Sequence, residues 1–190
     1  MDVTSPSISV VVGVLALVSV LGWYLTFSAT RVDRLHARLE GARSALDAQL
    51  VRRASVALQI AGSGRLDPAT SLLLADAAHE AREVDGTDQP SREMAESNLT
   101  GALRAAFAEP SVAGELQRDP VGRELLHELA AAGLRVQLAR RFLNDVVRAA
   151  RVVRRKRVVR YLRLAGHAEW PATFEMSDTP PENVAGAAST

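Results

Sequence analysis

Two short stretches pair a carboxylate with a histidine three residues on: Asp76-Ala-Ala-His79 and Glu124-Leu-Leu-His127. On a helix that spacing puts both groups on one side, and di-metal centres in ferritin-like bundles are built from such pairs. Metal ligands in a bundle must point inward, and the apolar residues nearby place these pairs elsewhere. Asp76 and His79 share a side with Glu80 and Glu83, opposite Ala75, Ala78 and the leucines, while His127 falls on the outer side of its helix. Solvated helix faces account for both pairs. Neither His79-Glu80 nor His127-Glu128 extends to H-E-x-x-H, and there is no phosphate-cradling glycine loop or GxSxG elbow. With no cysteine in the chain, thiolate nucleophiles, disulfides and Cys-bearing zinc sites are excluded. His36 and His167 stand alone. The expectation is therefore no catalytic residue, no cofactor and no metal, with a metal-binding bundle enzyme as the competing class.

The other concentration of chemistry is positive charge. Residues 151–163 read RVVRRKRVVRYLR, in which Arg151, Arg154, Arg155, Lys156, Arg157, Arg160 and Arg163 meet no acid. The whole chain is close to neutral, with 23 basic and 22 acidic residues, so charge is segregated along it and the protein is not a general polyanion binder. Three partners suit the run. Anionic headgroups attract each nearby cation by about 1 kcal/mol. A basic helix also fits a major groove, but a basic zipper places its basic region before the apolar seam, and here the seam comes first. Neither a stacking set of aromatics nor a second basic element accompanies it. Finally, the cations could balance acids of the same chain or favour a helix C-terminus. Lipid contact is the leading expectation, and nucleic acid the weakest.

The elements that must hold these residues are helices. Alanine, leucine, valine and arginine dominate and aromatics make up 4%, a composition that favours helix over sheet. From Val3 to Thr30 no residue is charged, and residues 8–30 suffice to cross roughly 30 Å of hydrocarbon as a helix. A cleaved signal peptide fits less well, because the terminus carries Asp2 in place of a basic patch and the apolar run is too long. Arg31, Arg34, Arg38 and Arg43 follow the span, which places the remainder in the cytoplasm and residues 1–7 outside. Apolar residues at Val32, Leu35, Leu39, Ala42, Leu46, Leu50, Ala54, Ala57 and Ala61 predict one long helix, stopped by Gly62 and Gly64. Asp67-Pro68 caps a second helix to about Val84, and a third runs from Ser91 to Phe107. Residues 110–118 read as a connection. Asp119-Pro120 opens the last and longest helix, whose seam is Leu125, Leu129, Ala132, Val136, Ala139, Leu143, Val146, Ala150 and Val153. Through Arg163 it would measure roughly 65 Å. The expected fold is all-α: an N-terminal transmembrane helix, then an elongated antiparallel four-helix bundle with long first and last helices. The bundle domain covers 31–176, and the small polar residues of 177–190 predict a disordered tail.

Three short motifs within these elements carry a family likeness. Asp47-Ala-Gln49-Leu50-Val-Arg52-Arg53, Arg141-Phe142-Leu-Asn144-Asp145-Val-Val147 and Trp170-Pro-Ala-Thr-Phe-Glu175 resemble the LemA family, membrane-anchored bacterial proteins with a helical cytoplasmic domain. The likeness spans roughly residues 8–175. Ala54-Ser55-Val56-Ala57 replaces the family's usual Asp-Leu-Ile-Pro after the first motif, and the final helix is unusually basic. The resemblance implies architecture and placement at the cell membrane, with no catalytic residues to carry over. It also suits a protein partner or self-association. Asn144 and Asp145 have two readings: polar positions that bond a neighbouring helix or loop, which is favoured, or a partner-binding spot.

Overall fold

A computed structural model describes residues 6–84, 86, 88–154 and 170–185, with all their side chains except those of 6–9, 21, 25–33, 154 and 185. All regular structure among them is helical: α1 (Pro6–Ala61), α2 (Pro68–Glu83), α3 (Gln89–Ala106), α4 (Pro110–Arg118), α5 (Pro120–Arg154) and α6 (Glu182–Ala185). The chain forms two compact units, Met1–Glu40 with Val146–Pro171 and Gly41–Asp145 with Ala172–Thr190.

Local chemistry explains where the helices begin and end. The main-chain N–H of Gly62 donates to Leu58 O, and Gly64 then takes a φ of 70°, the left-handed region that glycine enters without a Cβ penalty. The carboxylate of Asp67 accepts from the main-chain N–H groups of Ala69 and Thr70 at 3.1 and 3.0 Å, with Pro68 at the first helical position. Asp88 caps α3 in the same way, and Asp119 accepts from the N–H of Gly122 at 2.8 Å at the start of α5.

The second unit is a helical bundle. Along its part of α1 the expected stripe is buried from Ala42 to Ala61, and past Leu50 it widens to include Arg53, Val56 and Ile60. The core joins these to Leu74, Ala78 and Ala81 of α2, Leu99 and Leu103 of α3, Leu116 of α4, Leu126 and Leu129 of α5, Phe107 and Val184. Helices α2 and α3 pack along their length.

Three expectations change. Residues 110–118 form helix α4, not a connection, because Ala113 and Leu116 reach the core from one side of a two-turn helix. The α5 seam drifts: Val146 is half-buried while Val147 is fully buried. A straight helix has 3.6 residues per turn, so a strict seven-residue repeat walks round it by about 20° per heptad. Small polar residues predict a disordered tail over 177–190, of which 186–190 lie outside the described residues, but 177–185 lie along the bundle with Pro181 and Val184 buried and α6 at their end. Their main-chain groups are hydrogen-bonded by helix side chains, a form of order that composition does not reveal.

In the first unit, every described side chain from Val10 to Tyr24 is exposed, including Trp23 at 74%. Among the described residues no helix is long and apolar enough to cross a membrane; the 8–30 span falls partly on side chains outside them.

Candidate functional site

The most buried polar cluster sits between α1 and α3. Arg53, 4% exposed, follows Leu50 by three residues and so falls within the buried stripe of α1. Its Nη2 meets Glu96 Oε2 at 2.7 Å and donates to Glu96 O at 3.1 Å, while Nη1 donates to Thr100 Oγ1 at 3.0 Å. Glu96 is placed by the same logic, three residues before Leu99 on the inner side of α3. Burial pushes its carboxyl above the ordinary glutamate range, and the Arg53 charge and hydrogen bond oppose that rise. Arg53 Nε and Glu96 Oε1 are buried without hydrogen-bond partners. A cavity of about 20 Å³ lies beside Arg53, lined also by Thr100, Gly133, Asp178, Pro181 and Val184 among others. That is room for about one water molecule, far too little for an organic substrate or cofactor.

The remaining motif residues repeat this bracing role. Asp47 pairs with Arg92, tying α1 to α3, and Arg52 pairs with Glu128, tying α1 to α5. Leu50 is core and Gln49 half-buried between these pairs. So Asp47, Arg52 and Arg53 each reach a neighbouring helix from successive positions around α1. Phe142 and Asp145 face outward on α5.

Asn144 does something different. Its Nδ2 donates to Phe174 O at 3.1 Å and its Oδ1 accepts from Phe174 N at 2.8 Å, so one carboxamide satisfies both main-chain groups of a single residue. This is the expected bonding to a loop, and it joins two of the motifs directly. Other side chains continue the pattern along an extended C-terminal segment, residues 172–181. Gln89 donates to Thr173 O at 2.7 Å, Glu93 Oε1 accepts from Glu175 N at 3.0 Å, and Ser97 Oγ accepts from Ser177 N at 3.1 Å. From α5, Gln137 donates to Asp178 O at 2.7 Å and Arg140 Nε to Asp178 Oδ2 at 2.9 Å. In the sequence the Trp170–Glu175 motif marks the start of this segment, and nothing marks residues 176–181.

Of the basic run, Arg151 is half-buried and its Nε donates to Pro171 O at 2.8 Å. The side chain of Arg154 and all of Arg155, Lys156, Arg157, Arg160 and Arg163 lie outside the described residues. Among the described residues, no three His, Asp or Glu side chains converge as a metal site would require. Asp76, His79, Glu124 and His127 are all exposed. No protein-family model, no curated protein and no solved structure matches the chain.

Proposed function

We propose that this is a single-pass, membrane-anchored interaction or scaffold protein: residues 8–30 cross the bilayer, and the antiparallel helical bundle stands in the cytoplasm. One observation carries the reading. From Val10 to Tyr24 a helix of valine, leucine, glycine and aromatic side chains is uncovered on every described side, whereas a soluble chain rarely exposes contiguous apolar surface of that extent. Lipid is the solvent in which such a surface is stable, since an α-helix satisfies its own main-chain hydrogen bonds there. The arginines after residue 30 supply the orientation. The likeness of the three motifs to the LemA family agrees with it.

The bundle fits an interaction role better than catalysis. Among the described residues its buried polar side chains brace one helix or the C-terminal segment against another, and the cavity beside Arg53 is too small for a substrate. The run Arg154 to Arg163 is assigned to anionic lipid at the cytoplasmic surface, with Arg151 engaged in holding Pro171.

The anchor is tested by replacing Leu15 and Val18 together with arginine. Each central charge costs about 2.5–3.5 kcal/mol on insertion. The wild-type chain is expected in the membrane pellet after alkaline carbonate washing and the variant in the supernatant. Wild-type chain in the supernatant overturns the reading.

A further inference from the structure

Two exposed helix faces of the second unit combine apolar side chains with charge of opposite sign. On α5 Leu134, Leu138 and Phe142 stand four apart, so they form one row along the outside of the helix, and each is between 52% and 56% exposed. Arg135 and Arg141 are exposed beside that row, and from Leu129 to Asn144 the sequence has no acid. On α2 Leu72 and Leu73 are 71% and 67% exposed, and Asp76, Glu80 and Glu83 continue the same outer face, with Arg82 at its edge. Leu74, Ala78 and Ala81 are the residues of α2 that reach the core, so this face points away from its own bundle.

Each face has a feature that a partner of the opposite kind would relieve. Leucine and phenylalanine side chains gain by being covered from water. Like charges three and four apart, as in Asp76, Glu80 and Glu83, destabilise the helix that carries them. Among the described residues none of these three carboxylates, nor Arg135 or Arg141, is in an ion pair. The two faces also agree in dimension. From Arg135 to Arg141 the helix advances about 9 Å, and from Asp76 to Glu83 about 10.5 Å. Leu72, Asp76 and Glu80 make a row four apart as Leu134, Leu138 and Phe142 do, and rows of that kind interleave when two helices pack. Both faces are uncovered in the same bundle, so neither serves the other within one chain.

We infer that the outer face of α5 around Leu138 is an interface for a second copy, which covers it with the outer face of its α2. The contact buries Leu72 and Leu73 against Leu134, Leu138 and Phe142, and it brings Asp76, Glu80 and Glu83 to Arg135 and Arg141. Because the two faces differ, the interface is heterologous: a pair of chains leaves one face of each kind open to a further copy. The inference gives a partner to the interaction role proposed above and rests on that role, not on the anchor.

The test uses the full-length chain in two differently tagged copies, one with Leu138 replaced by the photo-crosslinking residue p-benzoylphenylalanine. Irradiation is expected to join the two copies, with the adduct on residues 68–84 of the other. Arg135→Glu with Arg141→Glu in the photoreactive copy should lower the yield about fivefold or more, since attraction becomes repulsion at two positions. Asp76→Arg with Glu80→Arg in the other copy should restore it, a rescue that a local disturbance of α5 could not produce. The inference is overturned by the absence of any adduct between copies, by an adduct on another helix, by a yield that the first charge reversal leaves unchanged, or by a loss that the second does not restore. Carbonate extraction of the same chains reports separately on the anchor.

Discussion

Arg53 and Glu96 form a pair whose removal in halves and as a whole should differ. Taking away Arg53 alone leaves a carboxylate in a site with almost no solvent, and breaking a buried pair in this way costs about 3–5 kcal/mol. Arg53→Met is expected to lose about that much in urea denaturation, and Arg53→Met with Glu96→Leu to regain most of it, because no orphaned charge remains. A double variant no better than the single would show that the hydrogen bonds to Thr100 and to Glu96 O matter more than the charge. The pH dependence has a definite sign. Burial raises the Glu96 carboxyl above its ordinary range, so the folded state binds that proton more tightly than the unfolded one. Its contribution is full below the unfolded value, about 4.3, and is lost as pH climbs through the raised value. The stability of the wild-type chain minus that of Glu96→Gln should therefore fall from about pH 4.3 upward. A difference that rises over that window would mean that Arg53 outweighs burial.

The helices themselves depend on close junctions as well as stripes. At the α4–α5 junction a Cβ on Gly122 would stand 2.4 Å from the carbonyl oxygen of Leu116, a main-chain atom that cannot swing aside. Gly122→Ala is expected to destabilise the chain by about 1–3 kcal/mol in the same assay, the usual range for overpacking; an unchanged midpoint would show that α4 shifts freely. Asn144→Ala leaves the N–H and C=O of buried Phe174 without partners, for an expected loss of about 1–3 kcal/mol each at most. Trypsin should then cut the C-terminal segment faster, and unchanged digestion would mean that Phe174 holds it by packing alone. Much of this architecture was legible in advance. Asp67-Pro68 and Asp119-Pro120 announce helices because a carboxylate cap and a proline at the first helical position are local chemistry, and the stripes of α1 and α5 follow from period alone. Helix α4 was not legible: Glu109 makes no side-chain cap bond and nine residues are too few to display a period. The burial of Arg53 and Glu96 was not legible, because such residue types are almost never fully buried unless paired and a pairing between helices leaves no mark in the sequence. The order of residues 177–185 was invisible because side chains of distant helices supply it across the fold.

At the scale of the whole chain, charge is distributed in blocks. The acids of α2 and α3 precede a stretch of sequence in which, from Arg135 to Arg163, only Asp145 opposes eleven cations. If those cations merely balanced the acids, bilayer composition would not matter to them. If they lie on headgroups, each gains about 1 kcal/mol near an anionic surface, and the sum over six or seven decays within a Debye length, about 10 Å at 0.1 M salt and 3 Å at 1 M. The full-length chain reconstituted into bilayers can separate the two, since trypsin cuts after each arginine and lysine of the run. Cleavage within residues 154–163 is expected to be at least tenfold slower in bilayers rich in phosphatidylserine than in neutral ones, with the gap closing in 1 M salt. Equal rates in both bilayers would remove lipid as the partner, and protection by added duplex DNA in the neutral bilayer would put nucleic acid in its place. The magnitude decides because the charges act as a group: one or two arginines near a surface would slow cleavage only a few-fold, whereas a whole run held flat gives a far larger effect. Its steep loss with salt would distinguish attraction to headgroups from burial of Val158, Val159 and Leu162 in the acyl region, which salt strengthens if it alters it at all.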